Sequence, residues 1–215
     1  MSGAQFLVFA KQPVPGRVKT RLCPPCTQEQ AAAVAAAALA DTVTTVTDTP
    51  AARRTLVISG RYEPPTGWTL TGQRGAGLAE RLVQAFIDTA VAGMSSVLIG
   101  MDTPQLTPGL LTEVADGLRD ADAVLGPAED GGWWTLALRE PRHARVLRDV
   151  AMSTEDTGVL TVQALQRSGL SVRMAPTLRD VDTATDALAV ARACLVGRFA
   201  DAVRANVPQP DARVR

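Results

Sequence analysis

Short apolar, β-branched runs alternate along this chain with longer stretches of helical periodicity, and that alternation restricts the fold more than any other feature. The runs are QFLVFA (5–10), RTLVIS (54–59), WTLTGQ (68–73), SVLIGMD (96–102), DAVLGPA (122–128), WWTLAL (133–138) and SVRMAP (171–176). Helical patterns fill the intervals. One is Ala-rich and starts at Thr27, where Thr27 and Gln30 form a capping box. Another covers 77–94, and a third begins at the cap Thr107 with Pro108 in the first turn. A helix over 155–168 and one closing helix within DVDTATDALAVARACLVGRFADAV complete the set. Such alternation predicts an α/β fold: a mixed, mostly parallel sheet sandwiched by helices in three layers. WWTLAL is expected to run antiparallel at an edge. With no fixed-period repeat and no long linker, the pattern predicts a single domain over 1–205 and a flexible tail over 206–215.

A chain of 215 residues can bury a real core, roughly 70% of its unfolded surface. Its formal net charge is zero, so no global field draws it to nucleic acid or to an anionic membrane. No apolar run approaches the ~20 residues of a membrane span, and no secretory signal is visible. A cytoplasmic location is therefore expected. The three cysteines, Cys23, Cys26 and Cys194, form no disulfide framework. CPPC has redox-motif spacing, but reads better as a loop leading to the Thr27 cap. His143, among Arg142, Arg145 and Arg148, reads as a solvated helix residue rather than a ligand.

In open α/β sheets ligands bind beyond the carboxyl ends of the strands. The first strand is followed by FAKQPVPGRVKTRL (9–22), which places Lys11, Arg17, Lys19 and Arg21 on one Pro-broken loop, with Gly16 allowing close backbone approach. Lys11 and Lys19 are the only lysines among 22 basic residues. The other strand ends are acidic: Asp102 after SVLIGM, Glu129 and Asp130 after AVLGPA, Asp180 and Asp182 after SVRMAPTLR. A metal–polyphosphate site needs this division, with cations on phosphate oxygens and carboxylates on Mg²⁺ or Mn²⁺. A Lys ammonium acts as a compact point charge, whereas Arg offers a fixed planar fork, and the loop carries both. Gly131 and Gly132 are expected to leave room for a ligand beside the Asp130 carboxylate. Trp133 and Trp134 could stack on a base or sugar, although strand alternation turns at least one of them toward the core.

Two familiar phosphate-binding motifs fail. GRVKT ends like a P-loop but lacks its glycines, and Pro13 and Pro15 remove amide donors. No G-x-G-x-x-G follows the first strand.

FAKQPVPGRVKTRL, QRGAGLAERL, IGMDTPQLTPGLL, VLGPAEDGGWWTLAL and DVDTATDAL together resemble the GT-A-type nucleotide-diphospho-sugar transferase superfamily. In particular they are similar to a small bacterial family of provisionally assigned glycosyltransferases, some labelled as arsenosugar biosynthesis enzymes. The first loop and DVDT also resemble 2-phospholactate guanylyltransferase and molybdenum-cofactor nucleotidyltransferases. The resemblance covers about 6–195. It implies a GT-A/Rossmann-like layered fold and a grip on nucleotide phosphates by the first loop. It implies a metal, Mg²⁺ or Mn²⁺, on Asp102 and Asp182, with Asp180 the weaker candidate. It also implies that the segment holding Gln73 and Gly75 faces the base.

The expected activity is thus metal-dependent glycosyl transfer from a nucleotide-sugar to a small-molecule acceptor, with Asp130 as general base. The alternative is nucleotidyl transfer from a nucleoside triphosphate to a phosphorylated small molecule, with release of diphosphate. A non-enzymatic nucleotide-binding scaffold fits the acidic strand ends less well. Neither nucleic acid nor membrane is an expected partner.

Overall fold

The computed structural model describes residues 3–194 and 197–208. Its seven strands are β1 (Gln5–Lys11), β2 (Arg53–Ser59), β3 (Thr69–Gly72), β4 (Ser96–Gly100), β5 (Ala123–Pro127), β6 (Trp133–Leu138) and β7 (Val172–Met174). The helices are α1 (Gln28–Asp48), α2 (Leu78–Thr89), α3 (Pro108–Gly117), α4 (Thr157–Arg167), α5 (Ala184–Ala193) and α6 (Arg198–Asn206). Short 3-10 segments cover Thr20–Leu22 and Pro141–Asp149.

All seven strands form one sheet in the order β3-β2-β1-β4-β6-β5-β7. The ladders β1–β2, β1–β4, β2–β3 and β5–β7 are parallel. Among these strands β6 alone is reversed, pairing antiparallel with both β4 and β5. The expectation of a mixed, mostly parallel sheet holds, but β6 is an interior strand and not an edge. Its residues 134–138 are all buried, which an edge position would not provide. The reversal follows from the short turn after β5, which forces a hairpin where a parallel return would need a crossover of a dozen residues or more.

Alternation along β1 feeds two cores. Phe6 and Val8 join Leu39, Val43, Leu111, Val114 and Trp134 under α1 and α3. Leu7 joins Val57, Leu82, Phe86, Leu98 and Leu165 under α2 and α4. A third cluster, including Val34, Ala38, Val190, Phe199 and Val203, packs α5 and α6 on the outer side of α1. α1 is therefore covered on two sides, and its alanines let both neighbours approach. Thr27 caps it as expected: its hydroxyl accepts from the Gln30 N–H at 3.2 Å, and the Gln30 side chain accepts from the Thr27 N–H at 2.8 Å.

Three further expectations change. The helix drawn over 77–94 ends at Thr89. The closing helix is two helices, α5 and α6; Gly197 before the second has φ 142°, which an uninterrupted helix could not contain. His143 is half-buried in a 3-10 segment packed on α2, and its Nδ1 has no partner among the described residues. Of the tail over 206–215, residues 209–215 lie outside the described residues, while Asn206 still belongs to α6. No helix among the described residues is long and apolar enough to cross a membrane.

Candidate functional site

Five loops meet beyond the carboxyl ends of β1, β4 and β5. The β1 loop is fixed by two buried anchors, Val18 and Leu22, which alternate with Lys19 and Arg21. Gly16 turns it at φ 73°, and Lys19 is held at φ 49°, a left-handed conformation that costs a non-glycine residue about 1 kcal/mol or more. Lys19 is committed to one place. Its ammonium donates to the Val181 carbonyl and lies 2.6 Å from an Asp102 carboxylate oxygen, and its side chain is only 8% exposed. Asp102 Oδ1 is buried, and its contact with Lys19 is an ion pair without an aligned hydrogen bond. The loop of Val181 is tied back by its N–H, which donates to the Asp102 carbonyl at 2.8 Å. Arg21 and Asp182 form a second, more exposed ion pair at 2.5 Å.

These residues surround a cleft of about 390 Å³, lined by Lys11, Arg17, Lys19, Arg21, Asp102 and Asp182. Four cations facing two carboxylates are an arrangement that can hold phosphate groups. Three residues expected here stand apart. Gly16 faces Gln28, whose Oε1 would lie 2.8 Å from an added Cβ. Gln73 donates to the carbonyls of Ala10 and Val57 at 2.7 and 3.3 Å, which splices the β3 edge to the strands beside it. Gly75, at φ 127°, packs against Glu80 and Arg81 at the start of α2. None of the three lines the cleft among the described residues.

A second cavity of about 300 Å³ adjoins the first, and Asp102 lines both. Its other polar residues include Thr103, Asp130, Trp133, Ser153 and Asp180. Asp130 is exposed, and its Oδ1 accepts from the Gly132 N–H at 2.8 Å, which shapes the β5–β6 turn. Asp180 is half-buried, and burial together with the charges of Asp130 and Asp102 pushes its carboxyl up to about 6. Trp134 is buried and donates through Nε1 to the Pro176 carbonyl at 3.0 Å. Trp133 packs partly on the α2 side of the sheet and leaves its buried Nε1 without a partner among the described residues.

Asp130 and Gly132 line this second cavity, so there is room beside the carboxylate, but the space over Gly131 is taken by the chain before α4. A Cβ on Gly131 would sit 1.9 Å from the Glu155 carbonyl oxygen, and the Gly158 N–H donates to the Gly131 carbonyl at 2.8 Å. The glycines accommodate the start of α4, and so bring Ser153 and Thr154 to the cavity wall. The Ser/Thr-rich stretch Ser153–Thr157 is the part of the site that sequence reasoning missed. Its signal was the hydroxyl cluster at a helix start; it follows no strand, so inspection of strand ends passed over it.

The residues present fit a divalent cation of the hard, oxygen-seeking kind. Asp102 and Asp182 both line the cationic cleft, each paired there with one cation, Lys19 or Arg21. No three or more His, Cys, Asp or Glu residues cluster as a metal cage among the described residues. Mg²⁺ or Mn²⁺ takes one or two protein carboxylates and completes its shell with phosphate oxygens and water, so Asp102 and Asp182 would be its candidate ligands.

The fold has counterparts among solved structures. A Desulfovibrio desulfuricans G20 protein, provisionally described as a nucleotide-diphospho-sugar transferase, superposes with a TM-score of 0.84 at 25% identity, covering 95% of this chain and 98% of that one. Rv0371c of Mycobacterium tuberculosis H37Rv, solved as a complex with manganese, matches at TM-score 0.53 and 19% identity over 88% of this chain and 98% of that one. The 2-C-methyl-D-erythritol 4-phosphate cytidylyltransferase of Thermus thermophilus matches at 0.53 and 16% over 91% and 100%. The last two likenesses are of fold alone. No curated protein matches the chain in sequence. The profile of one bacterial family matches residues 30–154, from the first turn of α1 to the Ser/Thr stretch before α4, and the chain belongs to that family, described as uncharacterized protein conserved in bacteria (DUF2064).

Proposed function

We propose that this protein is a metal-dependent glycosyltransferase that uses a nucleotide-sugar donor. The observation that carries the reading is the cleft in which Lys11, Arg17, Lys19 and Arg21 face Asp102 and Asp182 at the carboxyl ends of β1 and β4. Lys19 and Arg21 would hold diphosphate oxygens through charge-assisted hydrogen bonds. Asp102 and Asp182 would hold Mg²⁺ or Mn²⁺, whose charge helps the diphosphate to leave. The bond from the anomeric carbon to the diphosphate breaks, a bond to the acceptor oxygen forms, and the acceptor's proton passes to Asp130. The likeness to the Desulfovibrio protein supports this reading.

A second reading is nucleotidyl transfer to a phosphorylated small molecule. Four cations on one loop suit a triphosphate, and the cytidylyltransferase fold likeness is compatible with it. There the nucleophile is already an anion and needs no base.

The test has two stages. A thermal-shift panel of nucleoside triphosphates and nucleotide-sugars, with and without Mn²⁺, identifies the donor; a ligand at ~100 times its Kd adds about 2.7 kcal/mol. Single-turnover rates of Asp130→Asn then separate the readings. Glycosyl transfer predicts a loss of ~10²–10⁴-fold with nucleotide affinity intact. An unchanged rate would remove Asp130 as base and leave nucleotidyl transfer standing.

A further inference from the structure

A groove of about 430 Å³ runs between α4 and the β5–β7 edge of the sheet. Its apolar lining includes Leu125, Pro127, Val159, Val162 and Met174, and among the described residues Glu155 is the one ionisable side chain on it. Val159 is 59% exposed and Met174 50%, which makes them the two most exposed large apolar side chains among the described residues. Apolar residues scattered singly over a surface need no partner, but the two most exposed ones sharing a groove mark a contact face. The sheet edge beside them is open as well. Among the described strands β7 pairs with β5 alone, and an unpaired edge is a surface that another chain can cover.

The helix itself has a second face. α4 turns Thr161, Ala164 and Leu165 inward. Val159, Val162, Gln163 and Gln166 lie on another side at i, i+3, i+4 and i+7, and all four line the groove. The charges divide by end. Glu155 and Asp156 stand at the start of α4, and Arg167 is its last residue. All three are exposed, and none has an ion-pair partner among the described residues. This polarity suits the dipole of a single helix. It also makes the face self-complementary: when two copies of α4 lie antiparallel, the acidic start of each meets the basic end of the other.

We propose that this face docks a second copy of the chain across a two-fold axis that passes near Val162 and Gln163 and sets the two α4 helices antiparallel. A two-fold interface uses the same patch on both subunits, so the patch must complement itself, and the charges of α4 do so. The axis lies midway between positions 159 and 166, so each Val159 packs beside Gln166 of the other copy. Glu155 and Asp156 come within reach of the other copy's Arg167, and Met174 is covered at the flank. An anionic membrane is the wrong occupant, because the charge on the groove is acidic. The interface also backs the candidate site, since the Gly158 N–H of the docked helix holds the Gly131 carbonyl beside Asp130. The proposal does not depend on the transferase reading.

The test is sedimentation velocity on the full-length protein from about 1 to 100 μM, with circular dichroism to show that each variant is folded. The parent is expected to dimerise in this range. Val159→Asp puts a charge into the apolar part of the face and should raise the dimer Kd about 30-fold or more. Glu155→Lys and Arg167→Glu should each raise it about tenfold, because each alone sets like charges against each other at both ends of the helix pair. An equimolar mixture of these two variants sets opposite charges at both ends, so it should regain the affinity of the parent. A parent that stays monomeric throughout overturns the proposal and leaves the face to a different protein or to an apolar ligand. A dimer indifferent to Val159→Asp overturns it too, as does a mixture that associates no more tightly than its two components.

Discussion

Lys19 and Asp130 stand on either side of Asp102, and they are held in different ways. The Lys19 side chain is nearly covered, its backbone is strained at φ 49°, and its ammonium is locked by a carboxylate and a carbonyl from two other loops. Asp130 is exposed, and among the described residues its side chain bonds to the amide two residues on. The cationic side is a set of side chains fixed by long-range pairing. The acidic side is a turn whose position is set by backbone packing of Gly131 and Gly158. The difference teaches where each side is vulnerable: charge and partner on the first, space on the second.

The largest expected effect breaks the acidic side. Gly131→Ala forces a Cβ to 1.9 Å from the Glu155 carbonyl at φ 89°, so neither side-chain adjustment nor backbone relaxation resolves the clash cheaply. A loss of about 3 kcal/mol, or roughly 10 °C in Tm, is expected by calorimetry. A Tm within a degree or two of the parent would mean that α4 does not hold the turn. Next comes the cationic side. Lys19→Ala removes a charge-assisted contact and should weaken nucleoside diphosphate binding by about 1.5–3 kcal/mol while barely changing that of the nucleoside. Equal loss for both ligands would show that Lys19 shapes the loop rather than meeting phosphate.

The smallest effect sharpens the comparison through pH. Burial and neighbouring carboxylates raise the Asp180 carboxyl to about 6. A raised acid favours the protonated folded form, so its stabilising contribution is complete below its ordinary range near pH 4 and is lost as pH rises through about 6. Asp180→Asn escapes that penalty. With chelator present it should melt about 2–4 °C above the parent at pH 7.5, and the gain should vanish at pH 4. A lower Tm at pH 7.5 would mean that Asp180 is held by favourable contacts instead of crowded by charge.

Local signals made most of the fold legible. Thr27 with Gln30 and Thr107 with Pro108 announce helix starts because a cap depends only on residues a few positions apart. The cationic loop was legible for the same reason: its four charges are close together in the chain. What stayed hidden depends on distant pairing. The interior place of β6 is set by its ladders to β4 and β5, and its composition of WWTLAL is equally compatible with an edge. The role of the Gly131–Gly132 pair in seating α4 required knowing that residues 155–158 return to it. Asp180 was the weaker candidate beside Asp182, yet it is the one that reaches the second cavity, while Asp182 turns to Arg21. Two aspartates separated by one residue look alike in sequence, and only the path of the loop gives them separate partners.

Among the described residues Asp102 is the one acidic group common to both cavities. Its single negative charge is offset by Lys19 when the cleft is empty of phosphate. A bound anion that draws on Lys19 alters the potential that Asp102 presents to the other side. By linkage the influence must be mutual, each occupant changing the other's affinity by the same factor. In calorimetry this predicts that the Kd of either occupant shifts, by the same factor, when the other is present at saturation.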